Sequence, residues 1–362
     1  MSKIYDLTQQ QKEKAYLVYF DNENSEHELI EMKELIRSAM LEFSGENCVT
    51  IREINPATYI GTGKVEEIKQ EVENLNIDVV IFDLSLTGSQ LRNLTNELGV
   101  KVIDRTMLIL DIFAGRAKSN EGKLQVSLAQ LEYSKSRLNA ISGTAGRFGS
   151  GGVGMRGPGE TKIELDRRKV EEEIIKKRKE LKEVEKNRDV TKNQRRKNRE
   201  NLVSIVGYSN AGKSTLLNTI TKADAYADNR LFATLDILSK RVWDNGVQYI
   251  LSDTVGFISN LPHELMNAFS STLEELKEAD LVLIVLDASD INKYDQLKVV
   301  ENEMEKLGVD KSKAILVYNK IDKITDQEKS ELKSFDYETC YIEAKNNKNI
   351  LELKELIRNR LK

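Results

Sequence analysis

The chain has 362 residues, 40% of them apolar and 31% charged, with a net charge of −4 and only three prolines. That length exceeds what one core usually holds, so two or three domains are expected, and the composition excludes collagen, a disulfide mini-protein and extended disorder. The longest aliphatic run, LVLIVL at 281–286, is too short to span a bilayer, and MSKIYDLTQQ lacks the apolar stretch of a signal peptide, so a cytoplasmic protein with no membrane span is expected.

Residues 1–110 alternate in type. AYLVYF (15–20) reads as a strand, and Leu29, Met32, Ile36, Ala39 and Phe43 recur at helical spacing. CVTIREI (48–54) reads as a second strand and VEEIKQEVENL (65–75) as a second helix; DVVIFD (78–83), SQLRNLTNEL (89–98) and VKVID (100–104) continue the rhythm. Such alternation predicts an N-terminal α/β domain with a mainly parallel sheet. Cys48 and Cys340, both in strand-like contexts, read as buried reduced thiols. With only two histidines, His27 and His263, neither a metal hydrolase nor Ser–His catalysis is indicated.

Residues 111–200 differ. Leu124, Leu128, Leu131 and Leu138, with Lys135 in register, form one seam of alternating three and four spacing, and Ile163, Val170, Ile174, Leu181 and Val184 form another. Between them GTAGRFGSGGVGMRGPG (143–159) has eight glycines in 17 residues, too permissive to continue either helix. The pattern predicts an antiparallel two-helix linker with a Gly-rich tip. Residues 162–200 hold 16 Lys/Arg against 10 Asp/Glu, a local excess of +6 in an acidic chain. A solvated basic helix face would also carry that excess. A plain linker, however, needs neither paired seams nor the tip arginines Arg147 and Arg156, which favours a presented cationic probe for a localised anionic partner.

Residues 201–362 read as a second, larger α/β domain with strands at 202–207, 248–254, 281–287, 313–320 and 339–344. GYSNAGKST (207–215) follows the first of these and opens a helical run, the context of a phosphate loop whose backbone N–H groups meet phosphates at a helix N-terminus. Gly207, Tyr208, Ser209, Asn210, Ala211, Gly212 and Thr215 are its loop residues, Lys213 a point charge for the β- and γ-phosphates, and Ser214 a hydroxyl for Mg²⁺. In DTVG (253–256), Asp253 can hold magnesium and Gly256 can bring its N–H to the γ-phosphate. In NKID (319–322), Asp322 can accept from two guanine donors that adenine cannot present together, Asn319 can tie this loop to the phosphate loop, and the Lys320 stem can cover the base. Thr234, the single threonine between Lys222 and Ile250, is the candidate third Mg²⁺ ligand, with Ser239 behind it. Phe257 follows Gly256 where many GTPases place a water-orienting glutamine, so slow intrinsic hydrolysis is expected. GTGK (61–64) precedes a helix but is followed by Val65, which has no hydroxyl for Mg²⁺, so a weak anion site is the most it offers.

With GYSNAGKST, LFATLD, DTVGF and NKID, and with INPATYIGTGKVEEI and GVGMRGPGETKIELDRR ahead of them, the whole chain resembles the HflX family of ribosome-associated GTPases. The resemblance implies a P-loop, Ras-like GTPase domain behind the N-terminal domain and helical linker. It also implies a monomeric GTPase that binds the large ribosomal subunit and its RNA, is stimulated by that subunit, and splits or rescues stalled or idle ribosomes. The tip would then approach ribosomal RNA. Residues differ from the family pattern at Glu343-Ala344-Lys345, where such GTPases usually have Ser-Ala-Lys and where the Ala344 N–H is the expected guanine contact, and at Ile237-Leu238, usually Pro-Thr. Many members continue into a small C-terminal domain, so either a short variant or a truncated chain is expected. Asn210 stands where certain related GTPases coordinate K⁺ beside the phosphates, which adds K⁺ to Mg²⁺ as a cofactor; bracing the loop is its alternative role. A GTPase component of an RNA-modification or ribosome-assembly system is the rival function, although no catalytic site outside the nucleotide pocket is evident.

Overall fold

The computed structural model describes residues 12–21, 25–145, 158–197, 200–222, 232, 238–254, 256–258 and 275–362. Arg147, Arg156 and Thr234 lie outside them, as does most of the Gly-rich tip. The chain divides into two compact units, Met1–Ile112 with Ser136–Ile163, and Phe113–Lys135 with Glu164–Lys362.

The first unit contains β1 (Lys14–Phe20), α1 (Ser25–Ser38), β2 (Glu42–Val49), α2 (Thr62–Leu75), β3 (Val79–Phe82), α3 (Gly88–Leu98) and β4 (Lys101–Asp104), followed by the start of α4 (Arg105–Arg116). Its strands run in the order β2-β1-β3-β4, all parallel. VVIF of β3 is buried throughout, as a strand covered on both faces must be. The second strand departs from expectation: it lies at 42–49, not 48–54, and the first helix stops at Ser38, leaving Phe43 in the strand. Two causes act together. β2 is an edge strand and needs no strong apolar run, and Gly45 lets the Tyr16 ring lie across it, where a Cβ would sit 2.8 Å from ring carbons. Ile51 and Ile54, which suggested a strand, are exposed. Cys48 is exposed too, correcting its reading as a buried thiol, whereas Cys340 is buried and its thiol is pushed up to about 12 by that burial.

α3 opens with a capping box, Thr87 Oγ1 accepting from Gln90 N (3.3 Å) and Gln90 Oε1 from Thr87 N (2.9 Å). Beside it a buried ion cluster closes the carboxyl ends of β3 and β4. Arg105 pairs with Asp83 (2.7 Å) and with Glu31, and Asp104 accepts from the N–H groups of Leu86 (3.1 Å) and Met107 (2.9 Å) and pairs with Arg137. Burial alone would lower the Arg105 guanidinium, but Glu31 and Asp83 outweigh it and hold it above its ordinary value.

The parts of α5 (Asn120–Ala145) and α6 (Pro158–Lys197) that belong to the second unit are joined by two rungs, Glu132–Arg178 (2.8 Å) and Lys135–Glu171 (3.1 Å), whose numbering makes those stretches antiparallel. The seam is rotated from the expected one. Val126, Leu128, Ala129 and Tyr133 are buried on α5 while Leu124 and Leu131 are only half-buried, and Ile174 is buried on α6. Val126, Ala129 and Tyr133 repeat the same three and four spacing, so the pattern alone cannot separate the two stripes.

The second sheet comprises β5 (Asn201–Gly207), β6 (Leu238–Asp244), β7 (Val247–Asp253), β8 (Leu281–Asp287), β9 (Ala314–Asn319) and β10 (Glu338–Tyr341) in the order β10-β9-β8-β5-β7-β6, with β6 alone antiparallel to its neighbour. α7 (Lys213–Thr221) and α10 (Ile350–Leu361) share a core with one sheet face, and α8 (Lys293–Lys306) with the other; α9 (Asp326–Ser330) is a single turn. β5 lies between β7 and β8, so the strand order reverses at its carboxyl end, where ligands enter open α/β sheets. β6 was not anticipated, because LSKRVWD alternates weakly on an edge strand. Among the described residues no helix is long and apolar enough to cross a membrane.

Replacing Arg105 with Ala removes the guanidinium that pairs with the buried carboxylates of Asp83 and Glu31, an expected loss of about 3–5 kcal/mol. Trp243, the single tryptophan, lies in the second unit. The variant should therefore lose circular-dichroism signal at lower urea while the Trp243 fluorescence transition stays in place. Coincident, unshifted transitions would contradict this.

Candidate functional site

The carboxyl ends of five strands converge on one site. Three glycines permit the approach. A Cβ on Gly207 (φ +152°) would lie 2.2 Å from the Val285 carbonyl oxygen, one on Gly212 (φ +96°) 2.2 Å from Asn319 Nδ2, and one on Gly256 2.9 Å from Ser209 Cα. The loop 208–212 then turns into α7, and Lys213 enters its first turn.

Lys213 Nζ donates to the Tyr208 carbonyl (2.8 Å) inside the loop. Burial pulls this ammonium down to about 8, with Asp253 opposing the drop and Lys320 adding to it. Ser214 Oγ donates to Asp253 Oδ2 at 2.7 Å, so two hard oxygen donors from different elements stand side by side, a donor set that suits Mg²⁺. Ser209 N–H donates to the Phe257 carbonyl (2.7 Å) and Phe257 N–H to the Gly207 carbonyl (3.2 Å), which fastens the segment after Asp253 to the loop. Ser239 sits in β6 against Ser252 (3.1 Å), away from this group.

Asn319 joins two loops: its Nδ2 donates to the Ala211 carbonyl (2.9 Å) and its Oδ1 accepts from Ala344 N–H (3.0 Å). The Ala344 N–H, expected to face guanine, is thus engaged by Asn319 here. Lys320, at φ +63°, donates to the Asn210 carbonyl (2.8 Å) and pairs with Asp287 (2.7 Å). Asp322 is exposed on the single turn Ile321–Lys323. Glu343, standing where a serine was expected, is buried and accepts from Asn346 Nδ2. Three contributors escaped the sequence reading. Asp287 anchors Lys320, Thr219 Oγ1 donates to the Ala344 carbonyl (2.7 Å), and Phe232 N–H donates to Ser209 Oγ (2.9 Å). Only the charge ending LVLIVLD gave a local signal for any of them. At 61–64, Lys64 is held by Glu67 (3.0 Å) on its own helix and Val65 is in the core, unlike the arrangement at 207–215.

Family models match in three consecutive stretches: "GTP-binding GTPase N-terminal" over residues 26–114, "GTP-binding GTPase Middle Region" over 116–195, and "50S ribosome-binding GTPase" over 202–320. Among curated relatives, the GTPase HflX of Caldanaerobacter subterraneus subsp. tengcongensis is 48% identical over 352 residues, 97% of this chain and 81% of that protein. The GTPase HflX of Escherichia coli K12 is 43% identical over 321 residues, 87% of this chain and 75% of that one. Among solved structures, a GTP-binding protein from the archaeon Sulfolobus solfataricus in complex with GDP has 25% identity and a TM-score of 0.50, covering 96% of this chain and 98% of its own.

The lowered Lys213 carries a pH signature. Between pH about 8 and the ordinary lysine range the unfolded chain binds a proton that the folded one does not, so this group adds stability as pH rises through that window, up to roughly 3 kcal/mol. Compared with Lys213→Met, nucleotide-free protein should gain in Trp243-monitored unfolding midpoint from pH 8 to 10. Parallel pH profiles in the two proteins would refute the assignment.

Proposed function

Because the chain belongs to the HflX family and is a GTPase of it, we propose that it binds the large ribosomal subunit and splits or rescues stalled or idle ribosomes in a cycle of GTP binding and hydrolysis. One observation carries the reading: residues 207–215, Asp253 with Gly256, and 319–322 follow the carboxyl ends of β5, β7 and β9 in one sheet, with Ser214 and Asp253 2.7 Å apart. That array suits a guanine nucleotide held at three points, and the domain bearing it matches a model described as a 50S ribosome-binding GTPase.

In this reading the backbone of Gly207 to Thr215 cradles the phosphates at the N-terminus of α7, and Lys213 exchanges the Tyr208 carbonyl for phosphate oxygens. Ser214 and Asp253, with Thr234, hold Mg²⁺, which supplies neutralisation of charge on the phosphates. Gly256 senses the γ-phosphate through its N–H. Asp322 reads guanine, Lys320 covers the base, and Asn319 and Ala344 brace the pocket. Phe257 offers no polar group to orient water, so activation falls to the large subunit, and Asn210 is the residue that would hold a K⁺ ion, which would supply positive charge beside the phosphates. The protein acts as a cytoplasmic monomer. Arg147 and Arg156 contact RNA phosphates.

The decisive experiment is sedimentation with separated subunits in GDP, GTP and a non-hydrolysable analogue. Binding to the large subunit that requires triphosphate is expected, and indifference to nucleotide would defeat the proposal. Replacing Arg147 and Arg156 by Ala should flatten the salt dependence of that binding by about one to two units of logarithmic slope while GTP binding survives. Asp322→Asn should move preference from GTP toward XTP, since each mismatched partner costs roughly 5- to 150-fold. An unchanged preference would remove Asp322 from the base site. Hydrolysis should run faster in K⁺ than in Na⁺ at equal ionic strength, and Asn210→Ala should abolish the difference. Equal rates in both salts would eliminate the K⁺ site.

A further inference from the structure

Phe113 on α4 and Phe232 are both buried, with ring centroids 4.5 Å apart and planes at 81°. Phe232 has φ +56°, a conformation that crowds the Cβ of a bulky residue and persists only where the surroundings hold it. Two holds are visible: the Phe113 ring, and the bond from Phe232 N–H to Ser209 Oγ (2.9 Å). Ser209 in turn touches the segment that follows Asp253. Its own N–H donates to the Phe257 carbonyl (2.7 Å), and its Cα lies so close to Gly256 that a Cβ there would stand 2.9 Å away.

We propose that Phe113, outside the nucleotide pocket, is a positioning residue that acts through Phe232 on Ser209 and so sets the preference for a nucleoside triphosphate over a diphosphate. While Phe232 N–H engages it, the Ser209 hydroxyl keeps one rotamer; released, it regains the other staggered wells, and the loop regains freedom that a ligand must remove. The third phosphate is the part of the ligand that enters between Lys213 and Gly256, where Ser209 sets the spacing. A diphosphate does not reach Gly256 and is indifferent to that spacing. The inference rests on residues 207–215 being the phosphate loop.

The test is titration of fluorescent GDP and of a fluorescent non-hydrolysable GTP analogue. Phe113→Ala should bind GDP as the parent does and the triphosphate roughly threefold to tenfold more weakly, and Phe232→Ala should weaken the triphosphate more than the diphosphate. Phe113→Leu, which keeps apolar bulk, should recover most of the difference. In a Ser209→Gly background, Phe113→Ala should have no further effect, since the relay is already cut. Equal effects of Phe113→Ala in both backgrounds overturn the proposal. So does an equal change, or no change, for the two nucleotides in Phe232→Ala, which decides the matter if Phe113→Ala does not fold. Lys213→Ala checks the premise separately: undiminished binding of both nucleotides removes the phosphate-loop reading, whereas loss of both keeps the premise and leaves Phe113 to be judged alone.

Discussion

The second unit is organised around close approaches to backbone glycines where no Cβ fits. Gly207 lies against the Val285 carbonyl, Gly212 admits the Asn319 amide, and Gly256 rests on Ser209 Cα and Lys213 Nζ. Each contact joins a different strand end to the same loop: β8 at Gly207, β9 at Gly212, and the segment after β7 at Gly256. Any side chain would have to displace main chain, the Asn319 amide or the buried Lys213 ammonium, none of which yields cheaply. The loop is therefore clamped from three sides before any ligand is considered. That clamp is what buries Lys213 deeply enough to lower its ammonium.

Burying a cation in an otherwise satisfied loop is a deliberate expense. Lys213 has the Tyr208 carbonyl as a hydrogen-bond acceptor and the Asp253 field to steady it, yet desolvation still dominates. A phosphate offers it two or more charged oxygens in the same place, and charge-assisted bonds of this kind are about twice as strong as neutral ones. The residue is poised to gain more from an anion than an exposed lysine would. Lys320 is set less deeply, half-buried, and is held by Asp287 and by the Asn210 carbonyl.

What could be read in the sequence follows from range. The phosphate loop, DTVG and NKID are contiguous strings at strand ends, and burial on both faces leaves β3 and β8 as unbroken apolar runs, so these elements declare themselves locally. β2 and β6 do not, because each is an edge strand that pairs on one side and tolerates Gly45, Lys240 or Trp243. The α5 seam was misplaced by one stripe because its alternatives share a spacing. Thr219 with Ala344 and Phe113 with Phe232 are separated by more than a hundred residues and follow no pattern, so only the folded chain reveals them. Asn319 is the intermediate case. Its place in NKID is legible, but its simultaneous grip on Ala211 and Ala344 depends on two other loops arriving at the same point.

The two long helices have a mechanical character that follows from how they are joined. α6 has 40 residues, so it extends about 60 Å, and along that length every turn is locked by backbone hydrogen bonds. Across the pair, Glu132–Arg178 and Lys135–Glu171 are solvent-exposed rungs worth at most about 1 kcal/mol each. Val126, Leu128, Ala129, Tyr133 and Ile174 are the only buried apolar residues of the two helices among the described side chains. A strut made this way is stiff under axial load and compliant to shear. A push along the axis is transmitted nearly undiminished, while a sideways force is absorbed by exchanging rungs.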